Sequence, residues 1–286
     1  MNNYVIFTDS GCDIPQSMLD TWGVHACDLT FVFDGKGPEY RTGDMSPETF
    51  YGKMREGHTV KTAAVNTETF RRAFEEVLKD GTDILYIGMS SALSSTYSAA
   101  SAAADLLRPE YPARCIETVD SLSGSAGIGV LVFLTVRQKE AGADLAAAAR
   151  YARETVPHIC HSFTVDDLVY LKRGGRISPV AAVAGRLLGI KPILRVNESG
   201  ALESKTKARG RRAALESMAA MYEENVCDPA ERVFLTHGDS PADAEILRGL
   251  LQKKGASDIC VLPHGPTTGA HAGPGVMGIF YVGRAR

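Results

Sequence analysis

The run Ile84-Leu85-Tyr86-Ile87-Gly88-Met89-Ser90-Ser91-Ala92-Leu93-Ser94-Ser95-Thr96-Tyr97 passes from an unbroken apolar stretch, through a hydroxyl-rich turn, into a segment dominated by alanine and serine. The short continuous apolar run reads as a strand, and the small residues beyond the turn read as a helix. The turn itself gathers five hydroxyls beside exposed helix amides, which is the chemistry of an anion receptor. A serine nucleophile is the rival reading, because Gly88-Met89-Ser90-Ser91-Ala92 is one glycine short of the Gly-x-Ser-x-Gly elbow of α/β-hydrolases.

The same strand-to-helix alternation extends to both sides. Upstream come Tyr4–Thr8, a short helix from Pro15, a strand Val24–Phe33, and helices from Pro47 and Thr67; downstream come a strand Cys115–Val119 and an alanine-rich helix, Gly142–Val156, closed by Pro157. This order predicts an α/β fold with a mostly parallel sheet flanked by helices. From His158 the pattern changes to a strand, a short helix ending at Gly174-Gly175, a helix near Ser178–Leu188, and a hairpin from Lys191–Val196 through Asn197–Gly200 into Ala201–Lys205. A helix around Arg209–Asn225, a strand Arg232–His237, a helix Ala242–Gly255 and strands Ile259–Leu262 and Val276–Val282 complete it. We therefore expect two domains, an N-terminal α/β domain at 1–157 and a C-terminal α/β domain with a mixed sheet at 158–286. Ser46-Pro47-Glu48 and Ser240-Pro241-Ala242-Asp243 each put a serine before a proline at the first helical position, which marks two helix starts.

The totals narrow the function. A chain of 286 residues with a formal charge of −3 and pI near 6.2, whose one basic cluster is Lys205 to Arg212, is not built for nucleic acid or for more than transient contact with an anionic membrane. The opening Met1-Asn2-Asn3-Tyr4-Val5-Ile6-Phe7 runs directly into a strand with no charged leader, so the expected location is the cytoplasm. Six cysteines stand singly, without a Cys-x-x-Cys pair, and Cys160-His161 are adjacent on a strand and so point to opposite faces; we expect reduced thiols, no metal site and no cofactor. The lack of a coiled-coil seam favours a monomer.

Other segments carry polar chemistry. Thr8-Asp9-Ser10-Gly11-Cys12-Asp13-Ile14-Pro15 follows the first strand at the carboxyl edge of the sheet, where such folds bind ligands. Asp9 and Asp13 there read either as Mg²⁺ or phosphoryl-transfer carboxylates or, for Asp13, as a helix cap. Asp120-Ser121-Leu122-Ser123-Gly124-Ser125-Ala126-Gly127-Ile128-Gly129 has its glycines in the wrong order for a dinucleotide loop and reads as close helix packing. In Asp167-Leu168-Val169-Tyr170-Leu171-Lys172-Arg173-Gly174-Gly175-Arg176-Ile177-Ser178, the last helical turn accounts for Lys172 and Arg173 as dipole partners but not for Arg176, which leaves an anion or partner role open. His237-Gly238-Asp239 reads as a structural loop. Gly265-Pro266-Thr267-Thr268-Gly269-Ala270-His271-Ala272-Gly273-Pro274-Gly275 clamps one histidine in a glycine- and proline-rich bend, a geometry suited to presenting a ring beside backbone amides.

Taken together these landmarks resemble the DegV family, fatty-acid-binding subunits that present acyl chains to a separate fatty acid kinase. The matching residues are Thr8-Asp9-Ser10 with Asp13, Lys61-Thr62, Ser90 to Ser94 with Thr96-Tyr97, Asp120-Ser121, Leu168 to Ser178, Gly189-Ile190-Lys191-Pro192, His237-Gly238-Asp239 and Gly265 to Gly278, in order along nearly the whole chain. The resemblance implies a non-enzymatic lipid carrier with a long-chain fatty acid buried between two domains. Its carboxylate would be held by Thr62, Ser94 and His271 and phosphorylated by the kinase to an acyl phosphate for phospholipid synthesis, with Arg173 and Arg176 as candidate kinase contacts. A buried carboxylate needs such donors, and the tail adds about 0.8 kcal/mol per buried CH₂.

Two places leave the family pattern. Its usual Thr-Ser-Gln-Pro-Ser is Thr62-Ala63-Ala64-Val65-Asn66 here, and its Leu-Ser-Gly-Thr-Tyr is Leu93-Ser94-Ser95-Thr96-Tyr97. Two further functions fit the residues alone: a serine esterase for lipid-like esters working through Ser90, and a metal-dependent phosphotransferase using Asp9, Asp13 and Asp120.

Overall fold

The computed structural model describes residues 3–177 and 189–286. The helix expected near Ser178–Leu188 and the first two residues lie outside them.

Strands β1 (Tyr4–Asp9), β2 (Val24–Cys27), β6 (Asp83–Gly88) and β7 (Ile116–Asp120) form a parallel sheet in the order β2-β1-β6-β7. Side chains alternate across it. Ile6, Leu85 and Ile87 face one apolar layer, while Phe7, Ile84 and Tyr86 face the other, so both faces must be covered. Helices α3 (Thr67–Lys79) and α4 (Thr96–Glu110) cover the second face. Phe70, Phe74 and Leu78 recur at i, i+4 and i+8 on α3, and the alanines of α4 let it lie close. Asn66, which stands where the family pattern has serine, accepts the Thr69 amide at 2.9 Å and caps α3.

The expected strand Val24–Phe33 is two strands in two sheets. β2 ends at Cys27, opposite Asp9; β3 (Thr30–Phe33) turns away to pair antiparallel with β4 (Tyr40–Arg41) and β5 (Val60–Ala63). The break falls at Asp28-Leu29, where the Leu29 amide leaves the ladder to donate to Ser10 Oγ at 2.9 Å. β5 is too short and polar to announce itself in sequence, and it exists because β3 supplies its partner.

The second half forms a mixed six-stranded sheet ordered β10-β9-β8-β13-β11-β12, from β8 (Ile159–Thr164), β9 (Ile190–Val196), β10 (Leu202–Arg209), β11 (Val233–His237), β12 (Ile259–Pro263) and β13 (Met277–Val282). Only β11 and β12 pair in parallel; β9 and β10 make the expected hairpin. Helices α8 (Arg211–Asn225) and α9 (Pro241–Lys253) cover its outer face. Of the two serines expected as caps, Ser46 accepts the Thr49 amide at the start of α2 (Pro47–Arg55), whereas Ser240 precedes α9 without a capping bond.

Helix α5 (Ala126–Glu140) joins the halves. Buried on every side through its first three turns, it packs on β1 and β6 and also on β8, β11 and β13, so Ile128 and Leu131 share one core with Ile6, Ile159, Phe234 and Phe280. A helix apolar all round has no solvent face to offer, and this one is the shared filling of both sheets. Its glycines serve that packing: a Cβ on Gly127 would overlap His161, and one on Gly129 would overlap Ile14. The guanidinium of Arg286 adds a polar clasp, donating to the carbonyls of Ile159, Leu122, Val156, Ser121 and Asn197 and to Ser123 Oγ.

Candidate functional site

A cavity of about 300 Å³ lies where the carboxyl edge of the parallel sheet, the small β3-β4-β5 sheet and the inner face of the mixed sheet meet. Leu29, Met89, Leu93, Phe163, Val196 and Phe280 give it an apolar lining, as a ligand pocket with a few placed polar groups requires.

Thr62 enters through β5, whose alternation turns Val60 and Thr62 inward and Lys61 and Ala63 outward. His271 comes from the far end of the chain. Residues 266–272 form a short helix, α10 (Pro266–Ala272), rather than the open bend expected, with Pro266 at its first position and His271 in its last turn. Thr62 Oγ1 and His271 Nε2 meet at 2.9 Å across 209 residues of sequence. Burial, and next the charge of Arg176, press the imidazole down to about 4, so the ring is neutral at pH 7. Its other edge rests on Gly174: a Cβ there would overlap Nδ1 and stand 3.1 Å from Cγ and Cε1.

Ser94 lines the same cavity, with its hydroxyl on Thr96 Oγ1 at 2.9 Å and accepting the Thr96 amide, so it helps start α4 and makes no hydrogen bond to Thr62 or His271. Arg176 also lines the cavity, half-buried, with Nε donating to the Leu93 carbonyl and Nη1 to the Gly174 carbonyl. Arg173 ends α7 (Val169–Arg173) on the exposed side, its guanidinium 5.8 Å from the centre of the Tyr170 ring. The two departures from the family pattern reach the rim, where Ala64 and Ser95 line the cavity from exposed positions.

Ser90 is not presented as the exposed elbow of a nucleophile would be. It is fully buried, its hydroxyl donates to the Gly200 carbonyl at 2.9 Å, and no histidine among the described residues hydrogen-bonds to it. Asp9 is likewise committed, accepting from Tyr86 Oη, the Met89 amide and the Gly11 amide to tie the turn after β1. Asp13 does not cap α1 (Gln16–Thr21), which starts from Pro15; it accepts from Ser125 Oγ at 2.5 Å and Thr268 Oγ1 at 2.7 Å. Among the described residues no three His, Cys, Asp or Glu side chains converge as a metal site would need.

Around Asp13 lies a polar cluster that sequence reading did not assemble. His264 Nδ1 contacts Thr236 Oγ1 at 2.9 Å and Ser125 Oγ at 3.3 Å, and burial lowers its pKa while raising that of Asp13. Ser125, His264, Thr267 and Thr268 reach the cavity wall. His161 lines it too, from β8, on the face opposite Cys160, as strand alternation requires. The one signal for His161 in the sequence is a histidine on the inward phase of an apolar strand; His264 had none.

Comparison with known proteins follows this geometry. A family model described as "Uncharacterised protein, DegV family" matches residues 3–284. A DegV domain-containing protein of Clostridium perfringens is 38% identical over 99% of this chain and 98% of its own length. Among solved structures, a DegV family protein from Thermus thermophilus described by its fatty acid binding is 28% identical with a TM-score of 0.87, covering 98% of this chain and 99% of that one. A DegV lipid-binding protein from Thermotoga maritima is 26% identical with a TM-score of 0.86, covering 99% of both chains.

Proposed function

The chain belongs to the DegV family, and from that premise we propose that it is a cytoplasmic fatty-acid carrier that presents its ligand to a separate fatty acid kinase. The observation that carries the reading is the 2.9 Å meeting of Thr62 and His271 at a largely apolar cavity. Residues 1–157 and 158–286 act as two domains with the acyl chain between them.

In this reading the carboxylate accepts hydrogen bonds from the Thr62 hydroxyl and the His271 ring N–H, with the Ser94 hydroxyl turning from Thr96 to join them. A neutral imidazole donates one proton and keeps it, so His271 is a donor and not a base. Arg176 supplies the nearby positive charge that makes burial of a carboxylate affordable. Arg173, exposed and adjacent to Gly174, which contacts His271, would meet a kinase, whereas the wall position of Arg176 favours the ligand over a partner surface. The kinase would then form an acyl phosphate at an oxygen held near the rim, and the carrier would supply orientation rather than catalysis.

The test is mass spectrometry of an organic extract of the purified protein, with uptake of added octadecanoic acid measured in parallel. A fatty acid in the extract, or saturable uptake, is expected; an empty pocket that takes up none overturns the proposal. The Ser94→Ala/His271→Ala double variant should lose at least tenfold in affinity, by loss of two hydrogen bonds to a charged group. Unchanged affinity removes the head-group assignment.

A further inference from the structure

Beyond the carboxylate donors, the cavity wall holds two polar side chains without a hydrogen-bond partner among the described residues. His161 is 5% exposed, and neither ring nitrogen makes a hydrogen bond of good geometry, although the Ile159 backbone is close enough to act weakly on the ring. Thr267 is 3% exposed and its Oγ1 is equally unpartnered. Burying such groups without partners is costly, and native interiors rarely tolerate it without a reason. Both line the cavity. Thr267 is four residues before His271 on α10, hence on the same helix face and about one 5.4 Å turn away along it. His161 is two residues before Phe163 on β8, where it stands edge-on to Phe280 with ring centres 5.6 Å apart and presses against Gly127 of α5.

Resting on the fatty-acid reading above, we infer that His161 and Thr267 form a second polar station for a hydroxyl group carried on the acyl chain, so that the preferred ligand is a hydroxy fatty acid. The chemistry selects a hydroxyl over other in-chain oxygen groups. Burial holds His161 neutral, and Arg286 adds to that pressure, so the ring offers one N–H and one lone pair. A hydroxyl both donates and accepts and so answers the imidazole and the Thr267 hydroxyl together, whereas a ketone only accepts. A plain methylene chain passing this point would leave all of these atoms desolvated and unpaired.

The experiment is competition binding of octadecanoic acid against a positional series of monohydroxyoctadecanoic acids, on the wild type, His161→Leu, His161→Gln and Thr267→Val. At least one isomer should bind the wild type about tenfold tighter than octadecanoic acid. That preference should vanish in His161→Leu, shrink in Thr267→Val and survive in His161→Gln, which keeps a donor and an acceptor. If no isomer outbinds octadecanoic acid, water satisfies these groups and the inference is overturned; persistence of the preference in both His161→Leu and Thr267→Val overturns it equally. Should His161→Leu fail to fold, Thr267→Val decides alone. A wild type that binds neither acid refutes the fatty-acid reading instead, so the two failures are distinguishable.

Discussion

Gly174→Ala tests the architecture of the head-group site, because two physical effects predict opposite signs. Gly174 has φ of −71°, a conformation any residue adopts, so by backbone entropy alone alanine should stabilise the fold by about 0.4–1 kcal/mol. The added methyl, however, would overlap His271 Nδ1 and crowd Cγ and Cε1 at 3.1 Å, where carbon contacts settle near 3.5–4.0 Å. Relief requires the imidazole to withdraw by roughly 1 Å or more, which stretches the 2.9 Å bond to Thr62 beyond useful length. Overpacking of this kind costs about 1–3 kcal/mol, leaving a net destabilisation of about 1–2 kcal/mol. For a chain of this size that lowers Tm by roughly 2–5 °C, and displacement of the ring should weaken fatty-acid binding at least fivefold. Thermal melting and ligand titration of Gly174→Ala, His271→Ala and the double variant measure this directly. In the His271→Ala background the methyl has room, so Gly174→Ala should become neutral or stabilising, with a coupling of about 1.5–3 kcal/mol. A Gly174→Ala protein that melts higher than wild type and binds unchanged would refute the contact and the placement of His271 with it.

Acid should expose the same histidine in unfolding experiments. His271 sits near 4 when folded against an ordinary value near 6.5, so the unfolded chain binds the extra proton first; the stability it permits is complete above pH 6.5 and is lost as pH falls toward 4. By pH 4.5 the loss amounts to about 2–3 kcal/mol, and His271→Gln should lose that much less between pH 7.5 and 4.5 in urea titrations; parallel curves would contradict the assignment. Arg286→Ala should destabilise by about 2–4 kcal/mol, read from the urea midpoint, since it strips a shared donor from partly buried carbonyls of both halves. Arg286→Lys should recover only part of it, because an ammonium lacks the planar fork. Ser90→Ala should lower stability by about 1 kcal/mol while leaving fatty-acid affinity within twofold, and Ser90 should resist fluorophosphonate labelling; a labelled Ser90 would restore the esterase reading.

Local chemistry made much of this molecule legible. The apolar runs Tyr4–Phe7 and Ile84–Ile87 had to be strands, Pro47 and Pro241 had to open helices, and Asn197–Gly200 had to turn a hairpin, because each choice depends on neighbours a few residues away. The motif positions Thr62, Ser94 and His271 likewise stood out in the chain and line one cavity. What the sequence could not determine is whatever depends on a distant partner. β5 is a strand only because β3 lies beside it, and the split between β2 and β3 follows from two different sheets competing for one stretch of chain. Arg176 could serve an anion or a partner until the fold turned it into the cavity wall, and Gly174 looked like a helix stop until His271 arrived from 97 residues later. His161 and His264 differ from ordinary core histidines only in what surrounds them, and burial is a property of packing that no local pattern records.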